Sequence, residues 1–535
     1  MKEKKRIFIG GAWPYANNSL HVGHIAALLP GDVIARYFRL HGDDVIYVSG
    51  TDSHGTPITE RARKENTSPF AIAKMYHDEF YQCFEALRFS YDFYTATFED
   101  YHKEHVKEMF LTSYNNGFIY EKEEEQDYCK KCGRFLTDRE VSGICPKCGA
   151  RANGDQCDEC LESFDSSALI DKKCNICGES TVTIMNPQLV FRLSAFEDCI
   201  NDLLEKNKQY WRWNAINETI KYIKNGFPDR TITRSLPWGV DVPISGYEDK
   251  KIYVWFEAVM GYLTAGRYVA EKRGVNFDEF MKDDENLETY YVHGKDNIPF
   301  HTVIYPAWIA SLKEDIQLPK HIISSEYIKL NDEKMSKSKG NFKSITELVS
   351  KFAADTIRFY ILFISPENKD ANFSIDDMIA CHNKFLCGGF GNFVNRNLSF
   401  IKKKFNGIVP GGIIDTKVIE VIQSMYDRIG EKISKGDFRD TILLMIELIQ
   451  FANRYYDENA PWLLVKSDID AFNNVTASCI YIAANMSNLF APVLPDACEK
   501  LRKTLCIDKA SWATINPPKE LILENVDILY TKLEQ

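Results

Sequence analysis

At 535 residues the chain is longer than one ordinary core supports and should divide into roughly three or four domains or subdomains, the size of a large enzyme. Its residues, 45% apolar and 26% charged, are those of a globular protein; no apolar run reaches the roughly 18 residues of a membrane helix, and a cytoplasmic location is expected. A net charge of -11 excludes indiscriminate nucleic-acid binding, which needs a broad basic surface, so any RNA contact must be local.

The basic start, MKEKKRIFIG, holds only a short apolar strand, too brief for a signal-peptide core, so no cleaved leader is expected. Arg6–Gly10 is that strand, Leu20–Phe38 has helical character, and Val45–Val48 is a second strand, which is how a nucleotide-binding α/β sheet begins. Between the first strand and the helix runs GAWPYANNSLHVGH. Ser19 is the expected N-cap, and His21 and His24, three apart, share one face of the opening turn. A helix N-terminus offers unpaired N–H groups and a positive dipole end, so imidazole donors added there suit a phosphate, while Gly23 leaves room for a flat base. His-x-x-His alone is a common accident and gains weight only from a partner downstream.

From Glu121 to Gly178 the sequence turns to charged residues, glycines and paired cysteines, a composition that suits a metal-stapled insertion with little core of its own. Four C-x-x-C pairs occur, Cys129/Cys132, Cys145/Cys148, Cys157/Cys160 and Cys174/Cys177, and three are followed directly by glycine. Without a signal peptide, metal binding is better supported than disulfides. Two such knuckles complete a tetrahedral four-thiolate zinc site, so four make two structural Zn2+ sites with no open position for catalysis. Spacing leaves open which knuckles pair. The seven cysteines that remain of the fifteen, such as Cys83 and Cys479, lack ligand spacing and should be buried apolar residues.

Tyr253–Phe256 and Tyr290–His293 read as further β-rich pieces followed by helices, so the sheet should resume after the insertion and be assembled from two halves. Asn331–Gly340 reads as a polar loop with three lysines, Lys334, Lys337 and Lys339. Flexible ammonium groups suit a moving polyphosphate, although a solvated charge run is the ordinary alternative. From Asp376 the apolar residues fall three and four apart, as in Ile442–Tyr455, and mark a separate helical domain. Within it Asn392 and Arg396 share a helix face, and Pro461 can start a helix that leaves Trp462 exposed at its end.

KMSKS at Lys334–Ser338, paired with HVGH on a strand-to-helix turn, resembles the two signature motifs of class I aminoacyl-tRNA synthetases. The strings Ala12-Trp13-Pro14-Tyr15-Ala16-Asn17, Thr51-Asp52-Ser53-His54-Gly55-Thr56-Pro57, Tyr253-Val254-Trp255 and Gly294-Lys295-Asp296 with His301 are similar in order and spacing to methionyl-tRNA synthetases, over essentially the whole chain. Val259 departs from the proline of many relatives and Asn18 from their glycine. The resemblance implies an α/β Rossmann-like catalytic domain in two halves (1–116 and 241–325), split by a zinc-binding insertion (117–240). A linking segment with the KMSKS loop (326–375) and an all-α anticodon-binding bundle (376–535) follow.

The implied reaction joins methionine to ATP, with Mg2+, as methionyl-adenylate and passes it to the 3'-terminal adenosine of tRNA(Met). His21, His24, Lys334 and Lys337 are the implied catalytic residues at the phosphates. ATP would also meet Gly23, Gly294 and Asp296. No general base is needed, because the substrate carboxylate is already ionised at neutral pH. Asp52 would hold the methionine ammonium, with Ala12, Trp13, Tyr15, Trp255, Ala258, Tyr262 and His301 around the rest. A polarizable sulfur prefers aromatic neighbours, and a weak donor from Tyr15 or His301 can mark it against an all-carbon isostere. The resemblance also implies nested knuckles, Cys145/Cys148 with Cys157/Cys160 inside Cys129/Cys132 with Cys174/Cys177. Asn392, Arg396 and Trp462 would read the CAU anticodon, Trp462 by stacking. A monomer is expected, since the appended dimerisation domain of some relatives is not seen. Synthetases for leucine, isoleucine or valine share both nucleotide motifs but carry a much larger editing insertion. A non-catalytic RNA-binding zinc protein would have no need of the intact phosphate-binding set.

Overall fold

The computed structural model describes residues 4–136, 140–153, 159–160, 168–330, 333–334, 344–518 and 520–534. Five strands, β1 (Arg6–Gly11), β2 (Asp44–Thr51), β3 (Phe93–Ala96), β4 (Leu287–Gly294) and β5 (His321–Ser325), form one parallel sheet in the order β5-β4-β1-β2-β3. Ile7, Phe8 and Ile9 of β1 are all fully buried, as expected of a central parallel strand covered on both faces. The expected assembly from two halves is met: β1 pairs with β2 from its own half and with β4 from beyond the insertion. Strand order reverses at β1, and in such sheets a ligand crevice opens outside the carboxyl ends of the strands at that point.

Helix α1 (Val22–His41) follows β1 and is buried over most of its length, ending at Gly42 in the left-handed conformation. Helix α2 (Val254–Arg273) corrects the expectation of a strand at Tyr253–Phe256: only Lys251–Ile252 is extended, and Val254 already opens the helix. Tyr-Val-Trp-Phe is locally β-prone, but Phe256 through Gly266 are all buried. A helix enclosed on every side has no polar stripe to betray its period, and tertiary burial overrides the local preference.

The insertion leaves the catalytic body as a two-stranded antiparallel ribbon, Ile119–Cys129 against Val182–Phe191. Its base, with Ile119, Leu189 and Phe191, joins the core under the sheet. At its far end a three-stranded sheet centred on Val141–Ile144 encloses a small core of Leu136, Val141, Ala152 and Leu169 completed by cysteines. So small a core needs another source of stability.

The helical run starts at Ile375–Cys381 and continues through Asn392–Phe405, Thr416–Lys435, Phe438–Asn459 and Ile469–Leu489. In Thr416–Lys435 the buried positions include Val418, Ile422, Met425, Ile429 and Ile433, the three-and-four spacing of one apolar face. This face belongs to the same core as the buried side of α1, so the bundle and the catalytic sheet are continuous in their packing. Among the described residues, no helix is long and apolar enough to cross a membrane.

Candidate functional site

A cavity of about 790 Å³ opens at the carboxyl ends of β1 and β4. It gathers Ala12, Trp13, Tyr15 and Asp52 from the first half with Trp255, Ala258, Tyr262 and His301 from the second. His21, Gly23 and His24 line it on one side, and Gly294 and Asp296 on another. Every residue assigned from sequence to ATP or methionine therefore faces one space, except the two lysines. Lys334 falls in the short strand Glu333–Lys334, antiparallel to Ile328–Leu330, and Lys337 lies outside the described residues.

Ser19 does not cap α1; His21 does, with extended backbone geometry. Its Nδ1 accepts from the Gly23 N–H at 3.1 Å, and the Nδ1 of His24 accepts from the His21 N–H at 3.1 Å, a reciprocal capping box built from two imidazoles. The rings lie 3.9 Å apart. Burial pushes His21 down to about 4 and, with the neighbouring ring, drives His24 well below the ordinary histidine value, so both are neutral. A neutral imidazole that accepts at Nδ1 carries its proton at Nε2. The cap thus fixes the tautomer in which both rings donate from Nε2, the form a phosphate oxygen requires.

Asp52 follows β2 and is 5% exposed, with its Oδ1 buried and, among the described residues, without a hydrogen-bond partner. Burial, and then the nearby Glu257, pushes its carboxyl well above the usual carboxylate range. An unsatisfied buried carboxylate oxygen on a cavity wall costs stability until a cationic donor arrives. Trp13 reaches this wall because two glycines make room: a Cβ at Gly261 would stand 2.4 Å from its ring, and one at Gly50 would stand 2.7 Å away. Trp255 is 47% exposed at the mouth, edge-on to Phe300 with ring centres 4.7 Å apart. Among the described residues nothing stands within 4 Å of a Cβ built at Gly294, so a flat group can approach its backbone.

His301 departs from expectation. Its Nδ1–H donates to the Asn297 carbonyl at 2.8 Å, and its Nε2 accepts from the Tyr262 hydroxyl at 2.7 Å. Burial keeps it neutral, at about 4, so its one N–H is already used and it is not a donor toward a thioether in this arrangement. His293 stacks on it at 4.0 Å. Sequence reasoning passed over His293, and also Glu257, a carboxyl side chain that is only 1% exposed.

The knuckles assemble as nested pairs. Cys129, Cys132, Cys174 and Cys177 bring their sulfurs together, with Sγ separations of 3.4 Å for Cys129–Cys177 and 3.9 Å for Cys132–Cys174. Four thiolates about 2.3 Å from one tetrahedral ion would lie roughly 3.8 Å apart, so the group fits zinc. Cys145, Cys148 and Cys160 form a second cluster, with Cys145–Cys160 at 3.8 Å; Cys157 lies outside the described residues. Gly133, Gly149 and Gly178, each just past a knuckle, have φ of 67°, 75° and 79°, left-handed turns that let their N–H groups return to Cys129, Cys145 and Cys174. Of the other cysteines, Cys83, Cys381, Cys479 and Cys498 are buried as expected, Cys199 and Cys387 are half-buried, and Cys506 is exposed.

In the bundle, Asn392 and Arg396 lie on one helix and Trp462 is the second residue of helix Pro461–Ser467. The structure brings the last two together: the Arg396 guanidinium lies 5.7 Å from the Trp462 ring and 4.7 Å from Tyr456, and is held by Asp457 at 2.7 Å. Asn392 is one helical turn away, bonded to Asn453 at 3.4 Å.

A family model described as tRNA synthetases class I (M) matches residues 7–398, and one described as the anticodon binding domain of methionyl tRNA ligase matches residues 410–526. The methionine–tRNA ligase of Bacillus cereus (strain B4264) is 44% identical over 530 residues, covering 99% of this chain and 97% of that protein. Methionine–tRNA ligase 1 of Alkaliphilus oremlandii (strain OhILAs) is 43% identical over 529 residues, with the same coverage. The fold is also that of Mycobacterium tuberculosis methionyl-tRNA synthetase, solved in complex with methionyl-adenylate, at a TM-score of 0.80 and 24% identity over 98% of this chain and 99% of the other. With both family models matched in sequence order and relatives aligned almost end to end, the chain belongs to the methionine–tRNA ligase family of class I tRNA synthetases.

Proposed function

We propose that this chain activates L-methionine with ATP and transfers it to the terminal adenosine of a tRNA with a CAU anticodon, serving translation initiation and elongation. The observation that carries this is the unpaired Asp52 oxygen, buried on a cavity whose far side presents the His21/His24 cap. Asp52 takes the substrate ammonium, and Tyr15, Trp255, Ala258, Tyr262 and His301 enclose the side chain beside Ala12 and Trp13. One oxygen of the substrate carboxylate attacks the α-phosphorus, and the bond to pyrophosphate breaks with its electron pair on the leaving oxygen. His21 and His24 donate to the phosphates, Gly23, Gly294 and Asp296 meet the adenosine part, and Lys334 and Lys337 neutralise the departing charge. Mg2+ enters with ATP as part of the substrate. In the second half-reaction a terminal ribose hydroxyl attacks the methionyl carbonyl, the bond from that carbonyl to the phosphate oxygen breaks with its electron pair on the departing AMP, and the hydroxyl proton is released. The division into 1–116, 117–240, 241–325, 326–375 and 376–535 is supported by the ribbon beginning at Ile119 and the helical run beginning at Ile375.

Exchange of pyrophosphate into ATP, screened over all twenty amino acids, tests the activation step. Methionine alone is expected to support it; exchange with another amino acid and none with methionine overturns the assignment. Asn392, Arg396 and Trp462 are proposed to read the anticodon, supported by the Arg396–Trp462 contact and the 37% exposure of the indole, which leaves a face for a base. Trp462→Ala should cost about 1–3 kcal/mol in tRNA charging, the range for one lost stack, while leaving pyrophosphate exchange nearly unchanged. Normal charging by this variant, or joint loss of exchange and charging, defeats the anticodon role.

Two Zn2+ are proposed, one per cluster, with Cys157 completing the second. Elemental analysis of protein prepared without chelator should find two per chain; one or none contradicts this. Because the distal core is so small, chelation should loosen the insertion and spare the helical bundle, which proteolytic mapping can read.

A further inference from the structure

Behind the methionine wall lies a fully buried polar chain with no part in the steps above. Glu257, on α2, accepts from the Nδ1–H of His54 at 2.7 Å with one carboxylate oxygen and from the Nε2–H of His102 at 2.8 Å with the other. The second nitrogen of His102 meets Thr264 Oγ1 at 3.0 Å, back on α2. Glu257, His54 and His102 are each 1% exposed and Thr264 is 2% exposed. The donors come from two other elements: His54 follows the end of β2, two residues after Asp52, and His102 lies on helix Asp100–Asn115.

Glu257 thus joins the two sides of the amino-acid site. On one side Asp52 and His54 share a three-residue segment; Ser53 between them receives the Trp238 indole N–H on its carbonyl at 2.6 Å and donates its own N–H to Thr97 at 3.0 Å. On the other side α2 carries Ala258 next to Glu257 and Tyr262 about one turn further on. The remaining nitrogen of His54 is buried without a partner, so its bond to Glu257 is the only hydrogen bond from the ring to α2 among the described residues. Trp13 rests against the same chain, with its ring 5.7 Å from His102.

We propose that Glu257 is a positioning residue that sets the length of amino acid accepted, by fixing the span between the ammonium site at Asp52 and the side-chain wall at Ala258 and Tyr262. This rests on the methionine site assigned above. A carboxylate is suited to the task because it can accept from two imidazole N–H groups at once; an amide of the same size accepts from one and presents a donor to the other. A buried donor left facing a donor is costly, and the segment relieves it by moving.

The test compares Glu257→Gln with the parent in pyrophosphate exchange, using methionine, S-methylcysteine (one methylene shorter between Cα and sulfur) and homomethionine (one longer). Parent activity with methionine tests the site assignment; the variant's substrate ratios test the role of Glu257. The KM for methionine should rise about 10-fold, and the preference for methionine over the two analogues should fall by a similar factor. The KM for ATP should stay within about twofold. Thr264→Val, which leaves the Glu257–His54 bond intact, should keep the preference of the parent. If Glu257→Gln does not fold, His54→Gln carries the same expectation, with an unmoved thermal midpoint as the check on structure. Preference unchanged in the folded variant, equal damage to methionine and ATP, or equal damage from Thr264→Val each overturns the proposal.

Discussion

Arg358→Met should destabilise the chain by about 3–5 kcal/mol, the cost of leaving a buried charge without its partner. Arg358 is fully buried and donates to Val493 O at 3.0 Å, Pro492 O at 2.8 Å and Leu87 O at 3.1 Å. Its guanidinium also meets Asp32 Oδ2 at 2.7 Å. One side chain therefore ties α1, Leu87 and the Pro492–Val493 turn that precedes helix Pro495–Thr504. Methionine fills similar volume but leaves three carbonyls without donors and Asp32 with only Arg36 and Ser90 as partners. Burial opposes the charge on Asp32, yet Arg36, Arg358 and the Ser90 hydroxyl hold its carboxyl down at about 2. A carboxylate depressed on folding contributes stability that is complete above its unfolded value of 3.8 and is lost as pH falls through about 2, so the difference between variant and parent should be full at neutral pH. Urea unfolding read at pH 7 measures it. Asp32→Asn in the Arg358→Met background should recover part of the loss, because the uncompensated charge is gone. A single-variant change below about 1 kcal/mol, the range of an ordinary surface substitution, would remove Arg358 from this role.

His24→Ala should lower the rate of methionine activation by about 10²–10³-fold, the usual consequence of deleting one preorganised donor aimed at developing charge. The KM for methionine should change little, because the imidazole lines the side of the cavity proposed for the phosphates and its contribution there would be realised as pyrophosphate departs. Substitution also strips the His21 N–H of its 3.1 Å acceptor, so a modest loss of helix stability accompanies the rate effect. Rapid-quench measurement of adenylate formation separates the two, because fraying at the cap alone does not change the rate of the remaining folded enzyme by such a factor. A rate within about threefold of the parent at saturating substrates would falsify the phosphate role, since even one weakly placed donor is worth more.

Parts of this protein were legible from local order alone. The knuckle cysteines, the glycines that turn their backbones, the His21/His24 pair on an opening helix turn and Pro461 before Trp462 all act through neighbours within a few residues, and the structure places those of them that lie among the described residues accordingly. Two local expectations failed because tertiary packing outweighed propensity. The aromatic run at Tyr253 became the start of an enclosed helix, and the cap moved from Ser19 to His21, whose ring nitrogen reaches the Gly23 N–H.

The sequence by itself carried the signature motifs of the reaction class and the paired cysteines that suit a metal, because the spacing of such motifs encodes chemistry that must be presented together; the grouping of the cavity residues came from the resemblance to methionyl-tRNA synthetases. Only the tertiary structure decided the state of those groups. That Asp52 keeps an oxygen unpaired among the described residues, that His301 donates its N–H to the Asn297 carbonyl rather than into the cavity, and that Glu257 is an interior clamp follow from burial and from which lone pair meets which donor. His54 and Glu257 are 203 residues apart and His102 and Glu257 are 155 apart, so no local pattern could announce those bonds. A hydrogen bond between distant residues exists only after the chain has closed the loop between them, and the protonation it fixes depends on water being excluded from around it.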